Sequence, residues 1–369
     1  MKLLWYWPFA RVEEIDLAAA CAGEDSEIVV QTIDRREAPH AGQQGRVFVA
    51  RDLPDVERGA MGRLRWASSR MHTYQARARL RGRLMRAHEF DLVHLHYINR
   101  FTDAYSRLPR PLVMSVHDVL PHQQRLGVQG EHRLLGRTYR RADLLVVHHE
   151  RLMADLVERF GIDRSTIRVV PHQVFPVDEY DSVRPAGAPM FLFFGALRPN
   201  KGLDVLVEAL RIVPKLDARV VIAGRGSPDI EDMARTLAAS DQRVTCEIGQ
   251  VTHQRKGELF RQASAVLLPY TSFTSQSGVL HDAYGHRRPV VVSAVGALGK
   301  TVEEDGTGQV VAPRDPSLLA SAMESALDSV AWDRWVAACD RVARERAPSV
   351  VGQELRRVYL ELLGAAQRP

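Results

Sequence analysis

The stretch from Met190 to Leu210, MFLFFGALRPNKGLDVLVEAL, decides the fold of the second half of this chain. Its apolar run Met190–Phe194 predicts a buried strand, and apolar residues at helical spacing over Leu203–Leu210 predict a helix that packs back on that strand. The turn between them carries Arg198 and Lys201. Ligands of open parallel sheets bind at such turns, and two nearby cations can bracket a diphosphate. Taken alone, the same residues also fit a solvated surface turn.

Alternating strand and helix patterns extend from this stretch in both directions. They stop at a polar, proline-rich segment, Pro176–Pro189, which we interpret as a linker. The sequence therefore predicts an α/β chain with two doubly wound parallel sheets, in residues 1–180 and 186–345, and an amphipathic helix in residues 346–369. The strands predicted after the linker are Phe191–Phe194, Val220–Ala223, Val244–Ile248, Ala265–Pro269, Val290–Ser293 and Gln309–Val311. The helices predicted there lie near Gly202–Val213, Asp229–Ala239, His253–Gln262, Val279–His286 and Pro316–Leu327.

Length and composition fit a two-domain cytoplasmic protein. The chain has 369 residues, of which 45% are hydrophobic, so it can bury two cores. It lacks the run of about 20 apolar residues that a membrane span needs. Its N-terminus, MKLLWYWPFARVEE, predicts a first strand and no signal peptide. We interpret Cys21, Cys246 and Cys339, which form no paired motif, as reduced core thiols.

One segment is unusually basic. Between Glu57 and Glu89 there are nine arginines and no further acid, which gives a local charge of +7. The arginines are Arg58, Arg63, Arg65, Arg70, Arg77, Arg79, Arg81, Arg83 and Arg86. The segment has a helical apolar pattern, and it fits either a solvated helix with arginine stems along its surface or an electropositive patch. Such a patch at residues 58–86 would contact an anionic acceptor or, peripherally, the headgroups at the inner face of the membrane. No nucleic-acid recognition motif is present, so nucleic acid is not an expected partner.

His117 follows a predicted strand, Pro111–Val116, and precedes Asp118. That position is the ligand-facing edge of a parallel sheet. His117 is therefore a candidate for hydrogen bonding to a substrate hydroxyl or leaving group near neutral pH. The alternative is a histidine that only ends its strand.

A second informative stretch is Thr271–Pro289, TSFTSQSGVLHDAYGHRRP. Its small polar residues lead to Gly278, where a helix is predicted to begin, and free N–H groups at a helix start bind phosphate. Asp282 lies one turn later, and its carboxylate could accept hydrogen bonds from ribose hydroxyls. The alternative is that Asp282 only favours the positive end of its helix.

Several other chemistries lack support in the sequence. His94 and His96 share one face of a strand, and His148 and His149 are adjacent, but no histidine, cysteine and carboxylate set has metal-ligand spacing. We therefore predict no metal site. No G-x-G-x-x-G or G-x-S-x-G motif supports a dehydrogenase or a serine hydrolase.

Four stretches together resemble the donor domain of family 4 glycosyltransferases. They are FFGALRPNKGLDVLVEAL, VVIAGRGSP, VTCEIGQVTHQRKGELFRQASAVLLPYTSF and DAYGHRRPVVVSAVGALGKTVEEDGTGQVVAPRD. The resemblance spans roughly Phe191–Ala326, and SVHD and RRADLLVV extend it loosely into the first half. It implies the GT-B architecture, with two Rossmann-like domains facing across a cleft and a C-terminal helix that crosses back to the first domain.

The resemblance also implies an activity. The protein would be a retaining, metal-independent hexosyltransferase that moves a sugar from a nucleotide-diphosphate sugar to an acceptor hydroxyl without a protein nucleophile. It would need no cofactor, since the UDP- or GDP-sugar is a substrate. The acceptor would be a glycan, a lipid-linked glycan or a small-molecule natural product. The alternatives are a nucleotide-sugar epimerase or phosphorylase of the same fold, and a catalytically weak nucleotide-sugar-binding subunit.

Residue roles follow from the same resemblance. Arg198 and Lys201 would bind the diphosphate and stabilise the leaving group, and His117 would contact the donor sugar; these three are the implied catalytic residues. The implied nucleotide-binding set adds Gly195, Gly224, Gly249, Val251, Gly278, Val279, Leu280 and Asp282. The implied donor-sugar set adds Thr274, Ser275, Gln276 and Ser277. The implied acceptor-side residues are Phe9, Ala10, Arg11 and Glu13.

The chain departs from the family pattern at two places. Thr274 stands where the family has the first glutamate of its Glu-x7-Glu pair, and Asp282 stands in place of the second. The glycine pair expected after the first strand is replaced by Trp7–Ala10. The first change bears on the donor sugar, and the second predicts an unusual acceptor.

Overall fold

Two parallel sheets organise the chain, one in each of two units. The computed structural model describes residues 1–6, 12–22, 27–32, 47–51, 63–87, 89–120, 127–177, 184–185, 187–273 and 277–366. One unit comprises Met1–Gln173 together with Pro348–Pro369, and the other comprises Val174–Ala347. We call them unit 1 and unit 2. The two sheets confirm the predicted α/β fold class.

The sheet of unit 1 has seven strands in the order β3-β2-β1-β4-β5-β6-β7. They are β1 Lys2–Tyr6, β2 Glu27–Thr32, β3 Val47–Arg51, β4 Leu92–Leu95, β5 Leu112–Ser115, β6 Leu144–Val147 and β7 Ile167–Val169. Every neighbouring pair is parallel. Strands β4, β5 and β6 are buried along their whole length, as strands covered on both faces in parallel sheets are, and their only polar residues are His94 and Ser115.

Five helices follow strands of this sheet. They are α1 Val12–Ala22, α2 Arg63–Ala87, α3 Arg100–Asp103, α4 Gly127–Tyr139 and α5 Glu150–Phe160. The basic segment forms α2, and its arginines divide into two groups. Arg77 and Arg81 are buried; Arg81 pairs with Asp103 and its guanidinium lies 4.6 Å from the ring centre of Tyr6. The exposed arginines of the second half of α2 are Arg79, Arg83 and Arg86. The interpretation of α2 as a solvated helix is therefore wrong for the buried pair, which anchors the helix.

The sheet of unit 2 has six strands in the order β10-β9-β8-β11-β12-β13. They are β8 Met190–Phe194, β9 Arg219–Gly224, β10 Val244–Ile248, β11 Ala265–Leu268, β12 Val290–Ser293 and β13 Gly308–Val311. All pairs are again parallel. The six strands predicted after the linker are confirmed, with ends that differ by one residue at most.

In the described part of unit 2, seven α-helices accompany this sheet. They are α6 Leu203–Ile212, α7 Pro228–Ser240, α8 His253–Gln262, α9 Gly278–Gly285, α10 Gly296–Asp305, α11 Pro316–Ser325 and α12 Ser329–Glu345. Helices α10 and α12 were not predicted from the sequence. In α12 the buried residues Trp332, Val336 and Cys339 recur at helical spacing, so a usable signal was present. In α10 two glycines, Gly296 and Gly299, interrupt the apolar pattern.

The last helix, α13 Pro348–Ala366, packs on α1 within unit 1. Its predicted apolar face is confirmed, since Val351, Leu355, Val358 and Tyr359 are buried in the core that α1 also lines. The helices approach closely at Gly352, where an added Cβ would lie 2.4 Å from the Cβ of Ala20.

Cysteine burial agrees with the prediction at two positions. Cys21 and Cys339 are buried free thiols, whereas Cys246 on β10 is only half-buried. Within the described residues, no helix combines the length and the apolar character needed to cross a membrane.

Candidate functional site

The strand order of unit 2 reverses direction between β8 and β11. Chain connections leave these two strands on opposite sides, and the crevice outside their carboxyl ends is where open α/β sheets bind ligands. The loop after β8 carries Arg198 and Lys201, and the loop after β11 leads through Tyr270 to Ser277 and α9. The two stretches singled out in the sequence therefore meet at the switch point of one sheet.

Arg198 is the N-cap of a single 3-10 turn, Pro199–Lys201, that precedes α6, and Lys201 is the last residue of that turn. Arg198 is exposed and makes no ion pair with any described residue. Lys201 is half-buried: its Nζ lies 3.6 Å from the ring centre of Tyr270 and 4.4 Å from that of Phe273. One cation of the predicted pair is thus open to solvent, and the other is held against two aromatic rings.

Hydrogen bonds join the two loops. The backbone N–H of Thr271 donates to the carbonyl of Asn200 at 3.0 Å, and the Asn200 side-chain amide donates to the carbonyl of Ser272 at 3.1 Å. The hydroxyl oxygens of Tyr270 and Ser277 lie 2.9 Å apart. Because Ser277 is the N-cap of α9, this chain of contacts brings Lys201 to the start of that helix.

The start of α9 offers backbone donors. The N–H groups of Gly278 and Val279 have no hydrogen-bond partner among the described residues, and Gly278 is exposed. The N–H of Leu280, also predicted to face a ligand, instead donates to the carbonyl of Ser277 at 3.0 Å. Among the described residues, the N–H groups of Gly278 and Val279 are thus the two predicted donors without an acceptor, as the first N–H groups of a helix are, and such groups can bind an anion.

Asp282 is partly exposed and is held by a lysine that the sequence analysis did not single out. Lys256 on α8 donates from Nζ to Oδ1 of Asp282 at 2.7 Å. Their side chains are 11% and 28% exposed, respectively, so the carboxylate still reaches solvent. The pair connects α9 to α8, which begins just after Val251.

Three predicted glycines end three neighbouring strands. Gly195 follows β8, Gly224 ends β9 and Gly249 follows β10, and the N–H of Gly249 donates to the carbonyl of Gly224 at 2.9 Å. A Cβ at Gly224 would lie 1.8 Å from the carbonyl oxygen of Gly195, so only glycine fits there. The three glycines therefore leave the backbone uncovered by side chains at the ends of these strands, beside the switch point. Val251, on the loop after β10, is half-buried.

In unit 1, His117 lies just beyond β5 in a cluster of histidines. Its Nε2–H donates to the carbonyl of His96 at 2.9 Å, and its Nδ1 lies 3.2 Å from Nε2 of His148. Its ring stacks on Tyr97, with ring centres 4.5 Å apart. Burial, and secondarily the neighbouring His172, lowers the pKa of His117 to about 3. His117 is therefore a neutral imidazole at neutral pH, suited to packing and hydrogen bonding rather than to proton transfer.

Several predicted residues lie outside the described part of the chain. They are Thr274, Ser275 and Gln276 of the donor-sugar set and Phe9, Ala10 and Arg11 of the acceptor-side set. Glu13 belongs to α1, but its side chain is also outside the described part. Ser277 is buried and directed to Tyr270.

Three residues at the site escaped the sequence analysis. Lys256 is one of only five lysines in the chain, and this rarity is the feature of the sequence that could have indicated it. Tyr270 and Phe273 stand at the start of the second informative stretch, but their contact with Lys201 depends on the pairing of two loops. Such contacts between distant segments have no periodic pattern in a sequence.

Comparisons with known proteins extend over both units. Residues 188–329 match the family model described as Glycosyl transferases group 1, and residues 15–174 match that described as Glycosyltransferase Family 4. A phosphatidyl-myo-inositol mannosyltransferase of Mycobacterium leprae is 28% identical over 333 residues, 85% of this chain and 83% of that protein. A D-inositol 3-phosphate glycosyltransferase of Xylanimonas cellulosilytica is 28% identical over 269 residues, 64% of this chain. The chain spans 64% of the length of that second relative.

Solved structures show the same fold at low identity. Sucrose-phosphate synthase from Thermosynechococcus elongatus superposes with a TM-score of 0.74 at 18% identity, covering 99% of this chain and 100% of that one. Anabaena Alr3699/HepE in complex with UDP and glucose superposes with a TM-score of 0.70 at 18% identity, covering 98% and 100%. Both likenesses concern the fold.

Proposed function

Since this chain belongs to the family 4 glycosyltransferases and has their GT-B fold, we propose that it transfers a hexose from a nucleotide-diphosphate sugar to an acceptor hydroxyl. Transfer proceeds with retention of anomeric configuration, and UDP and GDP are the candidate nucleotides. One observation carries the proposal: Lys201, the Tyr270 ring and the Ser277 hydroxyl form a continuous contact from the cationic turn to the start of α9. This contact supports the assignment of both loops to one diphosphate site.

The diphosphate becomes more negative as the sugar leaves, so groups that stabilise this charge accelerate the reaction. Arg198 supplies a planar fork of donors, Lys201 a point charge, and Gly278 and Val279 two backbone N–H groups. Two cations and a helix start balance a diphosphate, so this mechanism operates without a metal ion.

The remaining nucleotide contacts lie beside this centre. Asp282 accepts hydrogen bonds from the ribose hydroxyls, and Gly249 and Val251 border the base. The backbone edge formed by Gly195 and Gly224 leaves room for the phosphates. Each assignment uses a residue on the carboxyl edge of the unit 2 sheet, where Rossmann-like domains bind nucleotides.

The sugar and acceptor contacts extend the proposal to residues carried over from the family resemblance. Ser277 borders the donor sugar together with Thr274, Ser275 and Gln276, and His117 contacts the sugar as a neutral imidazole. Phe9, Ala10, Arg11 and Glu13 border the acceptor, which makes unit 1 the acceptor-binding unit and unit 2 the donor-binding unit.

The acceptor is a polar head on a lipid at the inner face of the membrane. The names of two relatives include D-inositol 3-phosphate and phosphatidyl-myo-inositol, and the second of these is a lipid with a polar head. In this chain, the exposed arginines Arg79, Arg83 and Arg86 lie on one face of α2, and none pairs with a described acidic residue. A row of unpaired cations suits a surface of anionic headgroups, so the enzyme binds that surface peripherally.

Donor hydrolysis tests the proposed function. Wild-type protein incubated with UDP- and GDP-hexoses should slowly release UDP or GDP, measured by chromatography. Lys201→Ala should lower kcat about 100- to 1,000-fold with a smaller change in KM, because the charge acts mainly in the transition state. Lys215→Ala, at an exposed lysine on another face, should keep wild-type rates.

The alternatives give different products. A 2-epimer of the sugar-nucleotide would indicate an epimerase. Nucleotide binding without turnover on any acceptor would indicate a binding subunit. Failure to bind any nucleotide-sugar would refute the proposed function altogether.

A further inference from the structure

We propose that Tyr270 and Phe273 form an aromatic cage that positions Lys201 for the donor diphosphate. The inference rests on the proposed function, and it adds two positioning residues to that site. It also explains how a flexible lysine side chain is held where a cation is needed before the substrate arrives.

Two aromatic rings form the cage. The ring centres of Tyr270 and Phe273 are 5.0 Å apart, and their planes meet at 63°. The ammonium of Lys201 lies over both rings, at 3.6 Å and 4.4 Å from their centres. Both distances are well within the roughly 6 Å over which an aromatic face attracts a cation.

Burial strengthens this contact. Tyr270 is 2% exposed, and Phe273 and Lys201 are half-buried, so Lys201 is partly shielded from water. Cation–π attraction is strongest where the cation is desolvated. The cage therefore restricts a side chain that would otherwise lose considerable rotamer freedom on binding phosphate.

The tyrosine holds the lysine through its ring and not through an ionised oxygen. Burial raises the pKa of Tyr270 to about 12, so the phenol is neutral at physiological pH. Its hydroxyl, at the tip of the ring, lies 2.9 Å from Ser277 Oγ. Tyr270 thus links the two halves of the site: the ring orients Lys201, and the hydroxyl fixes the start of α9.

An aromatic cage leaves the lysine charge available. A carboxylate within hydrogen-bond distance cancels most of the field of an ammonium, as Asp282 does for Lys256 at 2.7 Å. Aromatic quadrupoles attract the ammonium but carry no net charge. The rings of Tyr270 and Phe273 therefore attract Lys201 without bringing a net charge of their own to the ammonium.

The test compares nucleotides that differ by one phosphate. Affinities for UDP and UMP, and for GDP and GMP, are measured by calorimetry for the wild type, Tyr270→Leu and Phe273→Leu. Each leucine variant should lower the affinity for the diphosphate by about tenfold and change that for the monophosphate much less, because the cage acts through Lys201. Tyr270→Phe keeps the ring and should stay close to the wild type in the diphosphate-to-monophosphate ratio.

Phe101→Leu provides a matched control. Phe101 also lies beside a cation, with the Arg100 guanidinium 4.6 Å from its ring centre, but it belongs to unit 1. Its replacement should leave both nucleotide affinities unchanged. Far-UV circular dichroism checks the fold, and if the buried Tyr270→Leu variant fails to fold, the half-buried Phe273→Leu variant decides the question.

The possible results distinguish failure of the aromatic cage from failure of the proposed function. Leucine variants that keep the wild-type ratio of diphosphate to monophosphate affinity would overturn the cage while leaving the proposed function intact. The same holds if Tyr270→Phe loses as much diphosphate affinity as Tyr270→Leu, since the hydroxyl would then be responsible. A wild type that binds neither UDP nor GDP would refute the proposed function, and the cage with it.

Discussion

Lys256 Nζ lies 2.7 Å from Oδ1 of Asp282, and this ion pair joins the two helices beside the candidate nucleotide site. The other carboxylate oxygen of Asp282 makes no hydrogen bond with any described residue. A carboxylate fixed through one oxygen presents the other in a defined direction, which is the arrangement a vicinal diol needs for recognition. We therefore interpret the role of Lys256 as holding Asp282 so that its second carboxylate oxygen can accept hydrogen bonds from a ligand.

Asp282→Ala should weaken nucleotide binding. A hydrogen bond to a charged group contributes roughly 1.5–3 kcal/mol, so the affinity for UDP or GDP should decrease about 10- to 100-fold in calorimetry. The difference between ribonucleotide and 2′-deoxyribonucleotide should also shrink. Glu303→Ala is the control, because Glu303 pairs with Lys300 at 3.0 Å on the surface. Unchanged ribonucleotide affinity in Asp282→Ala would show that the ribose is bound elsewhere.

Acid should destabilise unit 1 through its buried histidines. His94 has no exposed surface, it contacts Tyr359 and Ser115 through its ring nitrogens, and burial lowers its pKa from 6.5 to about 3. Between pH 6.5 and about pH 3, His94 binds a proton in the unfolded chain but not in the folded chain. The free energy of unfolding should therefore be fully retained above pH 6.5 and decrease by about 1.4 kcal/mol per pH unit for this group as the pH falls towards 3.

Urea unfolding at a series of pH values between 7.5 and 4.5 measures this effect. His94→Gln cannot take up the proton, so its stability should depend less steeply on pH than that of the wild type. His72→Gln removes an exposed histidine of α2 and should retain the wild-type slope. Equal slopes in all three proteins would mean that His94 is not neutral in the folded state.

Gly352→Ala should destabilise the contact between α13 and α1. The added Cβ would lie 2.4 Å from Ala20 Cβ and 3.0 Å from the Ala20 carbonyl carbon, so the helices must separate. Overpacking of this kind costs about 1–3 kcal/mol, measurable as a lower midpoint in thermal unfolding. Gly364→Ala is the matched control, because its Cβ would meet nothing within 4 Å and alanine favours a helix. A Gly352→Ala variant as stable as Gly364→Ala would contradict the close packing.

Anionic vesicles should bind the exposed face of α2. Replacing Arg79, Arg83 and Arg86 by alanine removes three charges, each contributing about 1 kcal/mol near an anionic surface. Sedimentation with vesicles of phosphatidylserine and phosphatidylcholine should show affinity about 100-fold lower, and little binding of either protein at high salt.

A second triple variant controls for net charge. It replaces three exposed arginines on other elements: Arg133, Arg219 and Arg334. This variant should bind the vesicles as the wild type does. If both triple variants lose equal affinity, attraction to the vesicles is general and α2 is not a docking surface.

The sheets were predictable because their signal is local. A run such as Met190–Phe194 is apolar at every position since both faces of its strand are covered, and no distant residue is needed to recognise it. The bounds of α10 were not predictable from periodicity, because Gly296 and Gly299 remove side chains from its pattern. The burial of Arg81 was not predictable because its partners, Asp103 and Tyr6, come from other elements.

The site was predictable where single residues stand at informative turns. Arg198, Lys201 and Asp282 follow strands or start helices, which are positions that a pattern locates. The partners of these residues were not predictable. Lys256 reaches Asp282 across 26 positions, and His148 reaches His117 only because β5 and β6 are neighbours in the sheet. Contacts of that kind depend on how the elements pack, so they cannot be recognised in a short stretch of sequence.

The contact between α1 and α13 has a consequence for synthesis on the ribosome. Unit 2 is one continuous segment, and its ends meet where the N–H of Val174 donates to the carbonyl of Arg346 at 2.8 Å. All of its strands and helices therefore precede Pro348, and it does not need α13 in order to close. Unit 1, although its first strand emerges earliest, cannot cover α1 until Pro348–Ala366 follows. The half that is translated first is therefore the half that matures last, and its nascent apolar face must be kept from aggregating throughout the synthesis of the other.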